Sequence, residues 1–296
     1  PGDIPGVYIK DAKDMVEVDS KTVQLIVTSP PYQRDMEYEK GVSYKAHLES
    51  VREVLQECNR VLEPGGIIAL NVADIPNFKG PEGKAKHSQI QLMGHLYQSF
   101  LRRHQILLTD MIMWEKNAAW SRNPHVKFGE DTPHASYRIL SNFEPIYIFR
   151  KVGARKLPSE QVVLNSQLNA EQWKNWVRGV WHIDPVNKPE GHPCPYPEEL
   201  VRRLVLMFSY EGDLVLDPWL GSGTTVKVAW ALGREAVGYE REPQYKSVIM
   251  KKLGIAPQPQ QKTAVEVFTD NIRQQLDAVE GPTAAQAEPI DRKSVV

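Results

Sequence analysis

The sequence predicts an α/β fold, a mostly parallel sheet with a late antiparallel hairpin, and three observations carry that reading. The apolar run Leu214-Val215-Leu216 passes through Asp217-Pro218-Trp219-Leu220-Gly221-Ser222-Gly223-Thr224-Thr225 into a helix-like stretch from Val226 to Leu232. A second buried-strand pattern, Val23-Gln24-Leu25-Ile26-Val27, stops abruptly at Thr28-Ser29-Pro30-Pro31-Tyr32. Between Tyr44 and Leu62 the apolar residues Ala46, Leu48, Val51, Val54, Leu55, Cys58, Val61 and Leu62 recur at helical spacing, and Ile67 to Val72 follows as another strand. Strands alternating with helices in this way build parallel sheets.

The two strand ends carry chemistry. A buried strand that ends in an acid and a glycine turn, then enters a helix, places backbone N–H groups and one carboxylate at the carboxyl edge of a sheet. Gly221 and Gly223 permit positive φ and close backbone approach, while Asp217 can hold a cationic amine. The stretch lacks the Lys of a phosphate-cradling loop, which argues against a nucleoside triphosphate site. At the other strand end Thr28 and Ser29 offer oxygen, and the prolines fix φ and leave their preceding carbonyls free of local turn bonding. Tyr32 adds a flat face. Such a cradle can accept hydrogen bonds from an amino group and stack on its ring.

Ser29-Pro30-Pro31-Tyr32 resembles the catalytic motif, and Asp217 to Thr225 the S-adenosylmethionine motif, of DNA methyltransferases that modify exocyclic amines. With the catalytic motif first in the chain, the order resembles that of the circularly permuted beta group, over about residues 7 to 252. The resemblance implies a Rossmann-like methyltransferase sheet with an inserted target-recognition region, S-adenosylmethionine as cofactor, and double-stranded DNA as substrate. It also implies a cytoplasmic enzyme of prokaryotic or phage type, with a homodimer and a cognate restriction endonuclease on a separate chain as further partners. Ser29, Pro30, Pro31 and Tyr32 become the catalytic residues. Asp11, Asp217, Pro218, Gly221, Ser222, Gly223, Thr224, Glu240, Pro195 and Tyr196 become the cofactor residues, and no metal is implied. Ser-Pro-Pro-Tyr goes with N4 of cytosine and Asp-Pro-Pro-Tyr with N6 of adenine, so cytosine N4 is the expected target and adenine N6 the alternative. Methylation of RNA or of a protein amide, or a non-catalytic DNA-binding paralogue, are the remaining readings.

At 296 residues the chain can bury one sizeable core with an insertion, or two small domains. Charge is balanced, 36 Lys and Arg against 37 Asp and Glu, but unevenly distributed. From Lys79 to Lys156 there are 13 basic and 6 acidic residues, a net of +7 against −8 for the rest of the chain. A basic middle suits a DNA-facing surface, and equally a solvated basic face. The two cysteines, Cys58 and Cys194, form neither a disulfide framework nor a metal pattern. No apolar run is long enough to span a bilayer, so a soluble, intracellular protein is expected.

In chain order, Val7-Tyr8-Ile9 reads as a strand and Asp11 to Val16 as a short helical connector. Asp11 matches the acid that contacts the cofactor adenine in the resembled group, and a helix N-cap explains it equally. Gln33 to Ser43, with Asp35, Glu37 and Glu39, reads as a gating loop. After the Tyr44 to Leu62 helix, in which Cys58 is a core thiol, Glu63-Pro64-Gly65-Gly66 is a stop. Asn71 and Asp74 lie near the next strand's carboxyl end, where ligands collect. Ile75 to Gln89 reads as a mobile basic loop, Gln91 to His104 as a helix, and Leu107 to Trp114 with Phe143 to Arg150 as a hairpin that closes the sheet. Residues 116–139 and 151–191 mix bases with flat rings without sustained periodicity, which makes them the target-recognition segments. Trp173, Trp176 and Val177 also fit one face of a short core helix.

His192 to Leu200 resembles the family's lead-in to the helix before the cofactor strand. Its Pro193-Cys194 is set aside as a carbon-methylating nucleophile, since no partner motif accompanies it. Arg234 to Tyr239 is the strand after the glycine motif, and Glu240 at its end is placed to accept from both ribose hydroxyls. Gln244 to Leu253 closes the domain, taken as residues 1–256. Residues 257–296 read as a linker, one helix-like piece from Ala264 to Val279 and a disordered tail.

Overall fold

The structure is a computed structural model and describes residues 4–31, 43–77, 89–116, 141–186, 191 and 195–255. In chain order its elements are β1 (Val7–Tyr8), β2 (Val23–Thr28), α1 (Tyr44–Val61), β3 (Leu62–Asn71), β4 (Ile75–Asn77), β5 (Gln89–Gln91), α2 (Met93–Arg103), β6 (Ile106–Glu115), β7 (Phe143–Lys151), α3 (Glu160–Asn165), α4 (Ala170–Trp176), β8 (Val180–His182), α5 (Glu198–Phe208), β9 (Leu214–Asp217), α6 (Thr224–Ala231), β10 (Glu235–Tyr239) and α7 (Lys246–Leu253). Eight strands form one sheet in the order β1-β10-β9-β2-β3-β7-β6-β8, and β4 pairs with β5 apart from it.

The parallel half runs from β1 to β3, and β7 turns against both β3 and β6. This is the predicted mostly parallel sheet with its late hairpin. Leu25, Ile26 and Val27 of β2 are all buried, because helices cover both faces of a parallel sheet and leave no side for alternation. Leu25 stands beside Val215 and Ile26 beside Leu216, so β2 and β9 reach the carboxyl edge together.

α1 starts where the Ser43 hydroxyl accepts from the Ala46 N–H at 3.2 Å, and its stripe Val51, Val54, Leu55 and Cys58 is buried against β2 and β3. Cys58 is a free core thiol whose pKa burial pushes well up, as expected of an inert cysteine.

Four local expectations are corrected. Asp11 to Val16 forms turns rather than a helix: Arg60 donates to the Met15 carbonyl at 2.8 Å and to Val18 at 3.0 Å, while Glu57 accepts from the Met15 N–H at 3.0 Å. Side chains of α1 thus satisfy this segment's backbone in place of helical bonds. Glu63 to Gly66 ends the helix but lies inside β3, as a bulge between the pairs Val23 with Leu62 and Leu25 with Ile67. Gly65 permits it with φ of 78° and a Cβ position only 2.7 Å from the Arg155 nitrogen. The ends of the supposed basic loop, Ile75 to Asn77 and Gln89 to Gln91, pair as a ribbon.

The fourth correction concerns the sheet's edge. The hairpin of β6 and β7 does not close it, because β8 pairs parallel with β6 beyond them. Trp181 of β8 is 1% exposed and donates to the Trp176 carbonyl at 3.0 Å, and the Trp114 indole donates to Ile183 at 2.8 Å. Residues 151–191 therefore hold real elements rather than irregular chain. Of the residues assigned to a core helix face, only Trp176 is buried; Trp173 is 61% and Val177 50% exposed.

Gln244 to Leu253 is mainly α7, whose Ile249 packs on the glycine turn. Tyr32, residues 33–42, 78–88 and 117–139, His192 to Cys194, and everything read in 257–296 lie outside the described residues. Among those described, no helix is long and apolar enough to cross a membrane.

Candidate active site at the carboxyl edge

Three adjacent strand tips build the site. From the end of β2 the Thr28 hydroxyl donates to Asp217 Oδ1 at 2.7 Å. From α6 the Thr225 hydroxyl donates to Oδ2 at 2.6 Å, and the Trp219 N–H reaches Oδ1 at 3.1 Å. Asp217 is 1% exposed, and burial pushes its pKa up to about 6 against the opposing pull of those three donors. A carboxylate accepts about four hydrogen bonds, so most of its capacity already holds the two strand tips together.

Beyond β9, Glu240 follows the tip of β10. Its Oε2 accepts from the Gly221 N–H and its Oε1 from the Glu242 N–H, each at 2.8 Å. Burial raises this carboxyl's pKa, the two amides counter it, and the charges of Glu242 and Asp217 add to the rise. Gly221 and Gly223 stand at φ of 57° and 90°, where L side chains are strained, and a Cβ on Gly223 would sit 3.3 Å from Ile249. The turn therefore needs both glycines to pass from β9 into α6, and their own N–H groups are already held, by Glu240 and by the Leu220 carbonyl at 3.1 Å. Pro218 is buried beneath it.

The other predicted residues fall on the same edge. Ser29 is half-buried, Pro30 buried and Pro31 half-buried, directly after Thr28. Asp11 follows β1, which pairs with β10, and the Glu240 N–H donates to Tyr8 at 3.0 Å. The Asp11 carboxylate caps a turn by accepting from the Lys13 N–H at 3.1 Å, rather than starting a helix. Pro195 and Tyr196, both half-buried, precede α5, whose far end leads into the start of β9; its first turn is thus at the carboxyl edge. Asn71 and Asp74 sit there too, but they serve the fold: Asn71 donates to the Pro145 carbonyl at 3.2 Å and Asp74 accepts from the Met93 N–H at 2.9 Å.

Three contributors have roles that the sequence does not reveal. Thr28 is expected to offer its oxygen to the amine cradle and Thr225 only to belong to the glycine motif, but both hydroxyls donate to Asp217, and the Thr28 pairing spans 189 positions. Lys252 of α7 donates to Ser222 Oγ and Thr224 Oγ1, 2.9 Å each, and nothing in its own segment signals this.

The arrangement suits a ligand that combines a cationic centre with a diol. Buried Asp217 supplies negative potential, the glycine turn lets a ligand come close to the backbone at the start of α6, and Glu240 stands one strand further along. Among the described residues no cluster could hold a metal ion.

Sequence and structure comparisons show what the chain is similar to. The family profile of the N6_N4_Mtase DNA methylases matches residues 23–251. The type II methyltransferase M.MjaI of Methanocaldococcus jannaschii is 31% identical over 287 residues, covering 84% of this chain and 91% of its own. M.BglI of Bacillus subtilis, also a type II methyltransferase, is 26% identical over 79% of this chain and 81% of its own. TTHA0409 of Thermus thermophilus, solved in complex with S-adenosyl-L-methionine, superposes with a TM-score of 0.66 at 28% identity, over 84% of this chain and 92% of that one. The PvuII cytosine-N4-specific DNA methyltransferase shares the fold, with a TM-score of 0.59 at 19% identity over 92% of each chain.

The chain belongs to the N6_N4_Mtase family of DNA methylases. It has the expected Rossmann-like sheet, and the family's methyl donor is the expected S-adenosylmethionine.

Proposed function

We propose that the chain methylates N4 of cytosine in a specific duplex sequence, at a base turned out of the helix. The observation that carries this reading is the Thr28–Asp217 hydrogen bond, which sets the Ser29-Pro30-Pro31 cradle against the strand that bears the glycine turn. S-adenosylmethionine supplies an electrophilic methyl group on a sulfonium. Gly221, Ser222, Gly223 and Thr224, with Pro218 and Asp217 beneath and Pro195 and Tyr196 beside them, hold its methionine end. Glu240 takes the ribose hydroxyls and Asp11 the adenine amine.

An exocyclic amine is a poor nucleophile because its lone pair is delocalised into the ring. If Ser29 Oγ and the Pro30 carbonyl accept its two protons, nitrogen moves toward tetrahedral geometry and the lone pair points at the methyl. Alignment of this kind contributes on the order of 7 kcal/mol. The Tyr32 ring stacks on the extruded base, worth roughly 1–3 kcal/mol against an unstacking cost of a few kcal/mol. One amine proton leaves to solvent after transfer. Ser at position 29, rather than Asp, favours cytosine N4 over adenine N6.

The topology supports residues 116–139 and the chain after His182 as target-recognition segments of a catalytic domain spanning 1–256, whereas residues 151–179 join the end of β7 to the start of β8 at the opposite edge, where Arg155 pairs with Glu63 and the Glu211 N–H donates to Ser166. β3, β6 and β8 end, and β7 begins, at the same edge as β2 and β9, so the chain between Glu115 and Phe143 and the chain after His182 leave from the active-site side. The enzyme acts in the cytoplasm on duplex DNA. The type II names of M.MjaI and M.BglI support a restriction endonuclease on a separate chain as its cognate partner. Nucleoside mass spectrometry of DNA from a host expressing the chain tests the reading: N4-methylcytosine is expected, and N6-methyladenine alone overturns it.

A further inference from the structure

A lysine touches the glycine turn from outside the motif. Lys252 of α7 donates to Ser222 Oγ and to Thr224 Oγ1, 2.9 Å each, and the two oxygens are 3.2 Å apart. Ser222 and Thr224 stand on either side of Gly223 and are 4% and 2% exposed, so the ammonium of a half-buried side chain is drawn in among enclosed groups. Taking a charge out of water is costly. A tie between α7 and the turn does not require it. Ile249, three positions earlier on the same face of α7, already packs there, 3.3 Å from the place of a Cβ on Gly223. An apolar contact of that kind holds a helix to a turn without desolvating a cation.

What the ammonium adds is charge, and it makes the turn electrostatically two-sided. At the Gly221 end the Glu240 carboxylate accepts from the backbone N–H at 2.8 Å, and buried Asp217 lies just before the turn. At the Gly223 end stands Lys252. Lysine only donates, so both hydroxyl oxygens act as acceptors toward it and their own hydrogens turn away from it. That end therefore carries positive potential while the other carries negative. The methionine end of S-adenosylmethionine has the matching asymmetry: two cationic centres, the ammonium and the sulfonium, and one carboxylate. Cations suit Asp217 and Glu240, and a carboxylate placed beside those acids is repelled.

We propose that Lys252 is a positioning residue for the cofactor: acting through Ser222 and Thr224, its charge draws the methionine carboxylate to the Gly223 end of the turn and so fixes which way the methionine end lies along it. This rests on the reading of the turn as the holder of that end.

The test compares, by calorimetry on the full chain, S-adenosylmethionine with decarboxylated S-adenosylmethionine, which keeps the sulfonium, amine, ribose and adenine and lacks the carboxylate. Kd for each compound and Tm are measured for wild type, Lys252→Met, Lys252→Gln, Lys252→Arg and Glu240→Gln. Lys252→Met is expected to bind the intact cofactor about tenfold more weakly and the decarboxylated one within about twofold of wild type, the loss of one partly screened charge pair. Lys252→Arg keeps the charge and is expected to keep most of the wild-type preference. Equal weakening of both compounds in a folded Lys252→Met makes the lysine a strut of the turn and overturns the proposal, as does unchanged affinity for the intact cofactor. Should Lys252→Met not fold, Lys252→Gln, uncharged but still a donor, is read in the same way. Glu240→Gln is expected to weaken both compounds alike, because the ribose is common to them. If it weakens neither, the cofactor reading of this edge fails, whereas a weakened Glu240→Gln beside an unchanged ratio in Lys252→Met defeats only the role of Lys252.

Discussion

The hydroxyl of Thr28 and the carboxylate of Asp217, 189 positions apart in the chain, are joined at 2.7 Å where β2 and β9 reach the carboxyl edge. Thr28 is 1% exposed, so neither group has water to fall back on. Replacing Thr28 with Val keeps the shape and removes the donor. We expect a loss of about 1–3 kcal/mol in urea unfolding, recovered largely by Thr28→Ser. A Thr28→Val protein as stable as wild type contradicts the assignment.

Asp217 should leave a signature in stability against pH. Burial pushes its pKa up to about 6 in the folded state, above the reference value of 3.8. Between those values the folded chain binds more proton than the unfolded one. The group's contribution is therefore fully present below about pH 4 and lost as pH rises through 6, a change on the order of 3 kcal/mol by pH 7. Asp217→Asn does not titrate, so wild-type stability measured relative to it should fall between pH 4 and 7. A flat difference across that range refutes the assignment.

Glu240 holds the glycine turn with one oxygen and its own following turn with the other. In Glu240→Gln one backbone N–H meets an amide NH2 instead of an acceptor. We expect S-adenosylmethionine to bind about tenfold more weakly by calorimetry, the equivalent of one misplaced hydrogen bond. Equal affinity in the two proteins counts against the role given to this acid.

The tryptophans of the α4–β8 segment should separate by burial. Trp181 is packed and hydrogen-bonded, with the Arg203 guanidinium 5.4 Å from its ring centre, and Trp181→Ala should cost about 3–5 kcal/mol. Trp173 is exposed, and Trp173→Ala should stay within about 0.5 kcal/mol of wild type in the same denaturation experiment.

What could be read in advance followed from local physics. β2, β9 and α1 announce themselves because burial on two faces makes an apolar run and burial on one makes a 3.6-residue stripe. The glycine turn and the Pro-Pro stop are equally local, since they are dictated by φ. The misreadings share a cause. Glu63 to Gly66 looked like a stop because the glycines and proline are seen before the strand that accepts them as a bulge. Trp173 and Trp176 look alike until α5 supplies the arginines that cover only one of them, with Arg202 and Arg203 lying 5.1 and 5.6 Å from the Trp176 ring centre.

By itself, then, the amino-acid order determined which segments become strands and helices and which residue types stand at their ends. Only the tertiary structure decided that Asp217 is enclosed by two hydroxyls rather than open to solvent and that Lys252 reaches the glycine turn. Those are contacts between side chains brought together by packing, and a hydrogen bond carries no trace in the local pattern of either partner.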